Sequence, residues 1–415
     1  MKKKILIALS LLLGLSAVAV PAEAHTGFKR VAYFIQWGIY GRNYHVKDVE
    51  ASGAAAKLTH LNYAFGFVNA EGTCYSADPW ADWQRPVPAE QSVDGVADAP
   101  GQALNGNLNQ LRKLKAKHPG LKVLISLGGW TGSGHFSDAV LTPESRAKLA
   151  QSCVDLWLRG NLPGLEPGAG AGVFDGIDLD WEWPGSSGAD GNVIRPEDKR
   201  NYTLFATELR SRLRAFSASS QLTAFLPAAT AKIDAGFEVQ QVFRQLDFAT
   251  VQGYDLRGSW ELQTGHNGNL LTDRRDPNPT RYSVDQTVSD YLSRGAPANK
   301  IVVGVPAYGQ GWTGVTAGGD GLYKPATGPA PGKWGAGTED YKDLVTKPGK
   351  RYRDLRTGTL WLYDGNEFWS YDDPKVMLQK AAYIRLKGLG GSMMWSIDED
   401  DSRASLTSAL YSILR

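Results

Sequence analysis

The sequence predicts an α/β fold: a TIM (β/α)8 barrel with a small α+β insertion between the seventh strand and its helix. Three observations predict it. Eight short, mostly continuous apolar runs recur along the chain, helical segments alternate with many of them, and one late connection is far too long for a plain barrel loop.

The first 24 residues read as an export leader. Lys2, Lys3 and Lys4 form a basic start, an apolar run covers residues 5–20, and Ala22-Glu23-Ala24 is a small-residue cleavage pattern, so the cut is expected before His25. The run is short for a membrane span. The 415 residues hold 45 Lys and Arg against 43 Asp and Glu, net +2. Loss of the leader removes three Lys and one Glu and leaves a neutral chain over 25–415. With no polybasic run, neither nucleic acid nor, after leader cleavage, a membrane is an expected partner. The mature protein is expected to be extracellular and a monomer.

In order, strands are expected over 31–37, 58–67, 121–127, 173–183, 222–227, 248–254, 301–308 and 389–397. Helices are expected over 109–117, 143–158, 197–213, 284–294 and 374–387. Thr142 and Pro143 suit the start of the second of these helices, while Gly295 and Gly388 suit the ends of the last two. One long connection, 69–107, carries Trp80 and Trp83. The other, 312–369, contains strand-like pieces at 352–355 and 359–363 and reads as the inserted subdomain. A barrel would emit it at the C-terminal face, where active sites sit.

Cys74 and Cys153 are the two cysteines. Export permits a disulfide, but Cys153 lies on a helical apolar stripe with Leu149, Leu156 and Trp157, so a buried thiol is the alternative. No further Cys or close His pair stands nearby to suggest a metal site, and no cofactor is expected.

The chemistry concentrates in Asp175-Gly176-Ile177-Asp178-Leu179-Asp180-Trp181-Glu182-Trp183-Pro184. The period of two along a strand turns Asp178, Asp180 and Glu182 one way, and Ile177, Leu179, Trp181 and Trp183 the other, toward a helix layer. No basic residue in this strand pairs with them. Aligned buried carboxyls repel, so at least one is expected to hold a proton near neutral pH. The 13 Trp, 17 Tyr and 13 Phe serve either as core or as stacking platforms for a ring-shaped ligand.

Asp175, Asp178, Asp180 and Glu182 resemble the DxxDxDxE signature of family 18 glycoside hydrolases. Four further stretches resemble motifs of that family in the same order: Ser126-Leu127-Gly128-Gly129-Trp130, Gly253-Tyr254-Asp255, Gly304-Val305-Pro306-Ala307-Tyr308-Gly309 and Gly390-Gly391-Ser392-Met393-Met394-Trp395. The resemblance covers essentially all of the mature chain and is to bacterial chitinases with the small insertion. Gln252 stands where the family more often has Met, and Gln310 where an Arg often follows Tyr-Gly. Both bear on fine specificity.

The resemblance implies a chitinase that cleaves β-1,4 bonds between N-acetylglucosamine units with retention, the substrate's acetamido oxygen acting as nucleophile. Glu182 is then the acid and base, Asp180 orients the acetamido group and balances charge, and Asp178 shares a proton with Asp180. Tyr254 would hydrogen-bond the acetamido oxygen. Sugar contacts are expected from Asp255, Trp395, Tyr33, Gln252, Trp130, Tyr308 and Phe65. Asp175 and Ser126 are expected to support the cluster. Of Trp37, Trp130, Trp260, Trp361 and Trp369, at least two are expected to line a groove. The expected ligands are chitin or chitooligosaccharides. Relatives that cut N-glycans or peptidoglycan share the acidic motif, and lectins of this fold have lost the acid that Glu182 supplies here.

Overall fold

The computed structural model describes residues 27–415; the expected leader, 1–24, lies outside them. Eight parallel strands form the barrel: β1 (Lys29–Ile35), β2 (His60–Val68), β3 (Lys122–Gly128), β4 (Gly176–Asp180), β5 (Gln221–Leu226), β6 (Phe248–Val251), β7 (Ile301–Pro306) and β8 (Gly391–Trp395). β1 pairs with both β2 and β8, which closes the barrel. The strands are buried along nearly their whole length, which is why they read as continuous apolar runs and not as alternating ones.

Helices cover the outside. Gly106–Lys117, Pro143–Cys153, Asp198–Phe216, Val284–Ser293 and Pro374–Leu386 fall where the sequence expects them. Thr142 accepts from the Ser145 amide and Asp373 from the Val376 amide, each ahead of a proline at the first helical turn. The short helices Val46–Ala51, Thr230–Gly236 and Val239–Gln245 were not legible. Each spans only six or seven residues, too short for a 3.6-residue period to show.

The insertion is a six-stranded antiparallel sheet running from Tyr308–Thr313 to Phe368–Tyr371. Strand seven of the barrel therefore stops at Pro306, and Tyr308 belongs to the insertion. Its strand Thr359–Tyr363 shows why the sheet is stable. Leu360 and Leu362 join the main core, while Trp361 and Tyr363 point the opposite way into a second small core with Trp312 and Phe368. One face thus packs on the barrel and the other makes its own interior. Burying each such large side chain contributes about 1.5–3 kcal/mol.

Cys74 and Cys153 are bonded, tying the 69–107 connection to the helix Pro143–Cys153. Within that connection Trp83 is fully buried and meets Trp157 edge-on at 6.5 Å, whereas Trp80 is exposed. Among the described residues no helix is long and apolar enough to cross a membrane.

Candidate active site

β4 sets the acidic cluster. Its register places Asp178 beside Ser126 of β3 and Thr223 of β5. Three hydroxyls donate to the Asp178 carboxylate: Tyr33 at 2.6 Å, Ser126 at 2.8 Å and Thr223 at 2.5 Å. Burial pushes the Asp178 carboxyl up, and these donors oppose the rise. They occupy both of its oxygens, and no hydrogen bond joins it to Asp180. Thr223 was missed in the sequence, where it is one hydroxyl in an apolar run.

Asp180 is buried one pleat further along, and its Oδ1 has no hydrogen-bond partner. Burial first, then the charges of Glu182 and Asp178, lift its carboxyl well above the usual range. Close packing to β3 requires glycine here. The Gly129 amide donates to the Asp180 carbonyl at 2.8 Å, and a Cβ on Gly128 (φ +112°) would sit 2.4 Å from that oxygen.

Beyond Asp180 the regular strand ends, so the alternation does not continue to Trp183. Trp181 does turn outward and stacks on Phe136 at 5.3 Å. Trp183, expected to face the helices as well, instead lines a cavity of about 800 Å³ at the C-terminal end of the barrel. Asp180 and Glu182 line the same cavity. Glu182 is held through its main chain: its amide donates to Ser133 Oγ at 2.8 Å, and its carbonyl accepts from Asn192 at 2.9 Å. Neither residue carries a local sequence signal. Burial and the Asp255 charge push the Glu182 carboxyl up to about 8, with Lys232 opposing. It therefore holds a proton at neutral pH and can deliver it into the cavity.

Tyr254 and Asp255 follow β6. Tyr254 stacks on Phe225 at 6.0 Å and faces the cavity. Asp255 adopts a left-handed backbone (φ 53°), uncommon for a residue with a Cβ, and its amide donates to Asn267 Oδ1 at 2.8 Å. Its carboxylate accepts from Tyr308 at 2.7 Å and from Gln310 at 2.8 Å, both on the first strand of the insertion. Burial raises the Asp255 carboxyl and these two neutral donors oppose the rise. Gln252 accepts from the Ala228 amide at 3.2 Å and also lines the cavity.

Trp395, ending β8, stacks on Phe65 at 5.8 Å and touches Tyr33 at 5.1 Å. Of the five tryptophans considered for a groove, Trp37, Trp130 and Trp260 line the cavity and are 42%, 51% and 62% exposed. Trp361 and Trp369 are buried in the insertion. Asp175 stands apart at the other end of β4. It accepts from the Val123 amide at 2.8 Å and pairs with Lys115 at 2.8 Å.

Residues 29–400 match glycosyl hydrolases family 18. The chain belongs to that family. It is 39% identical to Chitinase C of Streptomyces lividans, over 89% of this chain and 57% of the relative. It is 35% identical to Chitinase A1 of Niallia circulans, over 96% and 61%. The chain thus spans about three fifths of the length of these relatives. It superposes on the catalytic domain of psychrophilic chitinase B from Arthrobacter TAD20 with a TM-score of 0.91 and 43% identity, covering 94% of this chain and 95% of that one. In this family 18 chain each of the five motifs contributes a residue to the lining of one cavity. The hydrogen-bond partners Thr223, Ser133 and Asn192 come from outside them.

Proposed function

We propose that this chain is an exported chitinase that hydrolyses β-1,4-linked N-acetylglucosamine polymers with retention through an oxazolinium intermediate. The observation that carries the reading is the pairing of two carboxyls with different surroundings in one aromatic cavity. Glu182 is poised to hold a proton, and Asp180 presents an unpartnered oxygen two residues away. Chitinase relatives and a chitinase neighbour of the same shape support the substrate class. Export is supported by the leader-like residues 1–24 and by the Cys74–Cys153 disulfide, a bond that persists in oxidising compartments.

In this mechanism the attacked sugar lies on Trp395, with its acetamido group between Asp180 and Tyr254. Glu182 gives its proton to the glycosidic oxygen as the acetamido oxygen bonds to the anomeric carbon and the glycosidic bond breaks. Asp180 balances the positive charge of the oxazolinium ring. Glu182, now a carboxylate, takes a proton from water. The water oxygen bonds to the anomeric carbon from the face the leaving group vacated, the ring opens, and the acid is restored. The three hydroxyls hold the Asp178 carboxyl one pleat before Asp180, and in this mechanism the pair shares the proton that Asp180 gives up as the positive charge forms.

Product analysis on chitin, N-glycan and peptidoglycan in parallel tests the substrate. Release of short N-acetylglucosamine oligomers from chitin alone is the expected result. Cleavage of N-glycan or peptidoglycan without chitin would reject it.

A further inference from the structure

Lys232 is a cavity residue that neither the acidic motif nor the mechanism above uses. It lies on the short helix Thr230–Gly236 after β5 and lines the cavity beside Glu182. Its ammonium sits 5.9 Å from the ring centre of Trp130 and 5.4 Å from that of Trp183. That ammonium makes no ion pair or hydrogen bond with any described residue. The carboxylate on its own helix, Asp234, is engaged by Arg294 at 2.7 Å. Lys232 is thus a half-buried cation held between two indoles and open toward the ligand space.

Among the aromatic side chains of the cavity, Trp395, Phe65 and Tyr33 pack together, while Trp130 and Trp183 share the Lys232 ammonium beside Glu182. No ring contact joins Trp130 or Trp183 to Trp395 among the described residues. A general acid must touch the oxygen that departs with the leaving sugar. If the attacked sugar lies on Trp395, the sugar beside Trp130 and Lys232 is the leaving one.

Resting on the chitinase reading, we propose that Lys232 is a specificity-determining residue that selects against a protonated glucosamine as the leaving sugar. A glucosamine ring there would bring an ammonium up to a cation that has no counter-charge but Glu182, which must itself be neutral when it acts. The indole faces that could otherwise attract the glucosamine ammonium already hold Lys232. An N-acetylglucosamine ring carries no charge and is not penalised. On partially deacetylated chitin the enzyme would therefore cut where the leaving-side sugar is acetylated.

The test is limited digestion of partially deacetylated chitin at a pH where glucosamine is protonated, by the wild type, Lys232→Gln and Lys232→Arg. Products are sequenced by mass spectrometry for the sugar at each newly formed non-reducing end. In the wild type and Lys232→Arg these ends should be depleted in glucosamine relative to the polymer. In Lys232→Gln the ratio of glucosamine to N-acetylglucosamine should rise about fivefold, the size expected for two unit charges a few ångströms apart in a wet cleft. Equal ratios in wild type and Lys232→Gln would overturn the proposal. So would wild-type ends that mirror the polymer's composition, a result independent of any variant. A fully acetylated oligomer run alongside separates the two readings: if the wild type does not cleave it, the chitinase reading fails, whatever the end composition.

Discussion

The Tyr308 hydroxyl donates to the Asp255 carboxylate across 2.7 Å, a bond that joins the inserted sheet to the barrel inside the cavity. Gln310 adds a second bond from the same strand at 2.8 Å. The insertion is therefore part of the site wall and not an appendage, and its inner face shares the barrel core through Leu360, Leu362 and Trp369. Trimming it to a short loop would expose that core and release Asp255 together.

The double variant Tyr308→Phe/Gln310→Ala tests this without removing the sheet. Both donors to a buried carboxylate are lost, and hydrogen bonds to charged groups are worth about 1.5–3 kcal/mol each. The expected outcome is a drop of about tenfold or more in kcat/KM on a short soluble oligosaccharide, measured at neutral pH. Unchanged kinetics on short substrates would mean that Asp255 does not need the insertion.

Glu182→Gln keeps the shape of the acid and removes its proton. Turnover should fall by at least about 10²-fold, with oligosaccharide binding retained. Kinetics and calorimetry on the same folded protein check both halves. Near-wild-type turnover would sink the assignment.

Asp180→Asn should separate rate from stability. Loss of a charge that stabilises the transition state predicts a drop of about 10²–10³-fold in kcat and a smaller change in affinity. Stability should move the other way. Asp180 has a folded-state pKa raised by burial and by two neighbouring carboxyls, so the fold loses stability, relative to acid pH, as pH rises through that value. Asn never ionises. Above neutral pH the variant should therefore melt about 2 °C or more above the wild type, and the gain should vanish in acid. A lower melting temperature at alkaline pH would contradict the account.

The pH profile follows from Glu182. The acid must be protonated in the free enzyme, and its pKa lies at about 8. kcat/KM should hold through neutral pH and fall tenfold per unit above about 8, as the fraction of protonated Glu182 falls. The charged and titratable groups bearing on this limb are Asp180, Asp255 and Lys232. A limb that falls near pH 5 would show that Glu182 titrates as an ordinary carboxyl.

Much of this site was readable before the fold was known, because strand periodicity is local. Asp178 and Asp180 could be aligned from spacing alone, and Thr142 could be read as a cap. What the sequence hid was set across strands. Thr223 meets Asp178 only because β5 pairs with β4 in one register. Ser133 and Asn192 reach Glu182 from separate loops. Trp183 was misplaced because the period of two was carried three residues past the end of β4 at Asp180. The three hydroxyls that bond the Asp178 carboxyl converge from three other strands, so no local spacing shows them together. Cys74 and Cys153 left two readings open, since no sequence spacing measures the 4.9 Å between their Cα atoms.

The central claim is retaining hydrolysis of an N-acetylglucosamine oligomer with the substrate's acetamido group as nucleophile. Proton NMR of the first minutes of turnover on a short chitooligosaccharide tests it most directly. Two displacements at one carbon restore its configuration, so the new reducing ends should appear first as the β-anomer and only later equilibrate. A first-formed α-anomer, or no new reducing ends at all, would contradict the account.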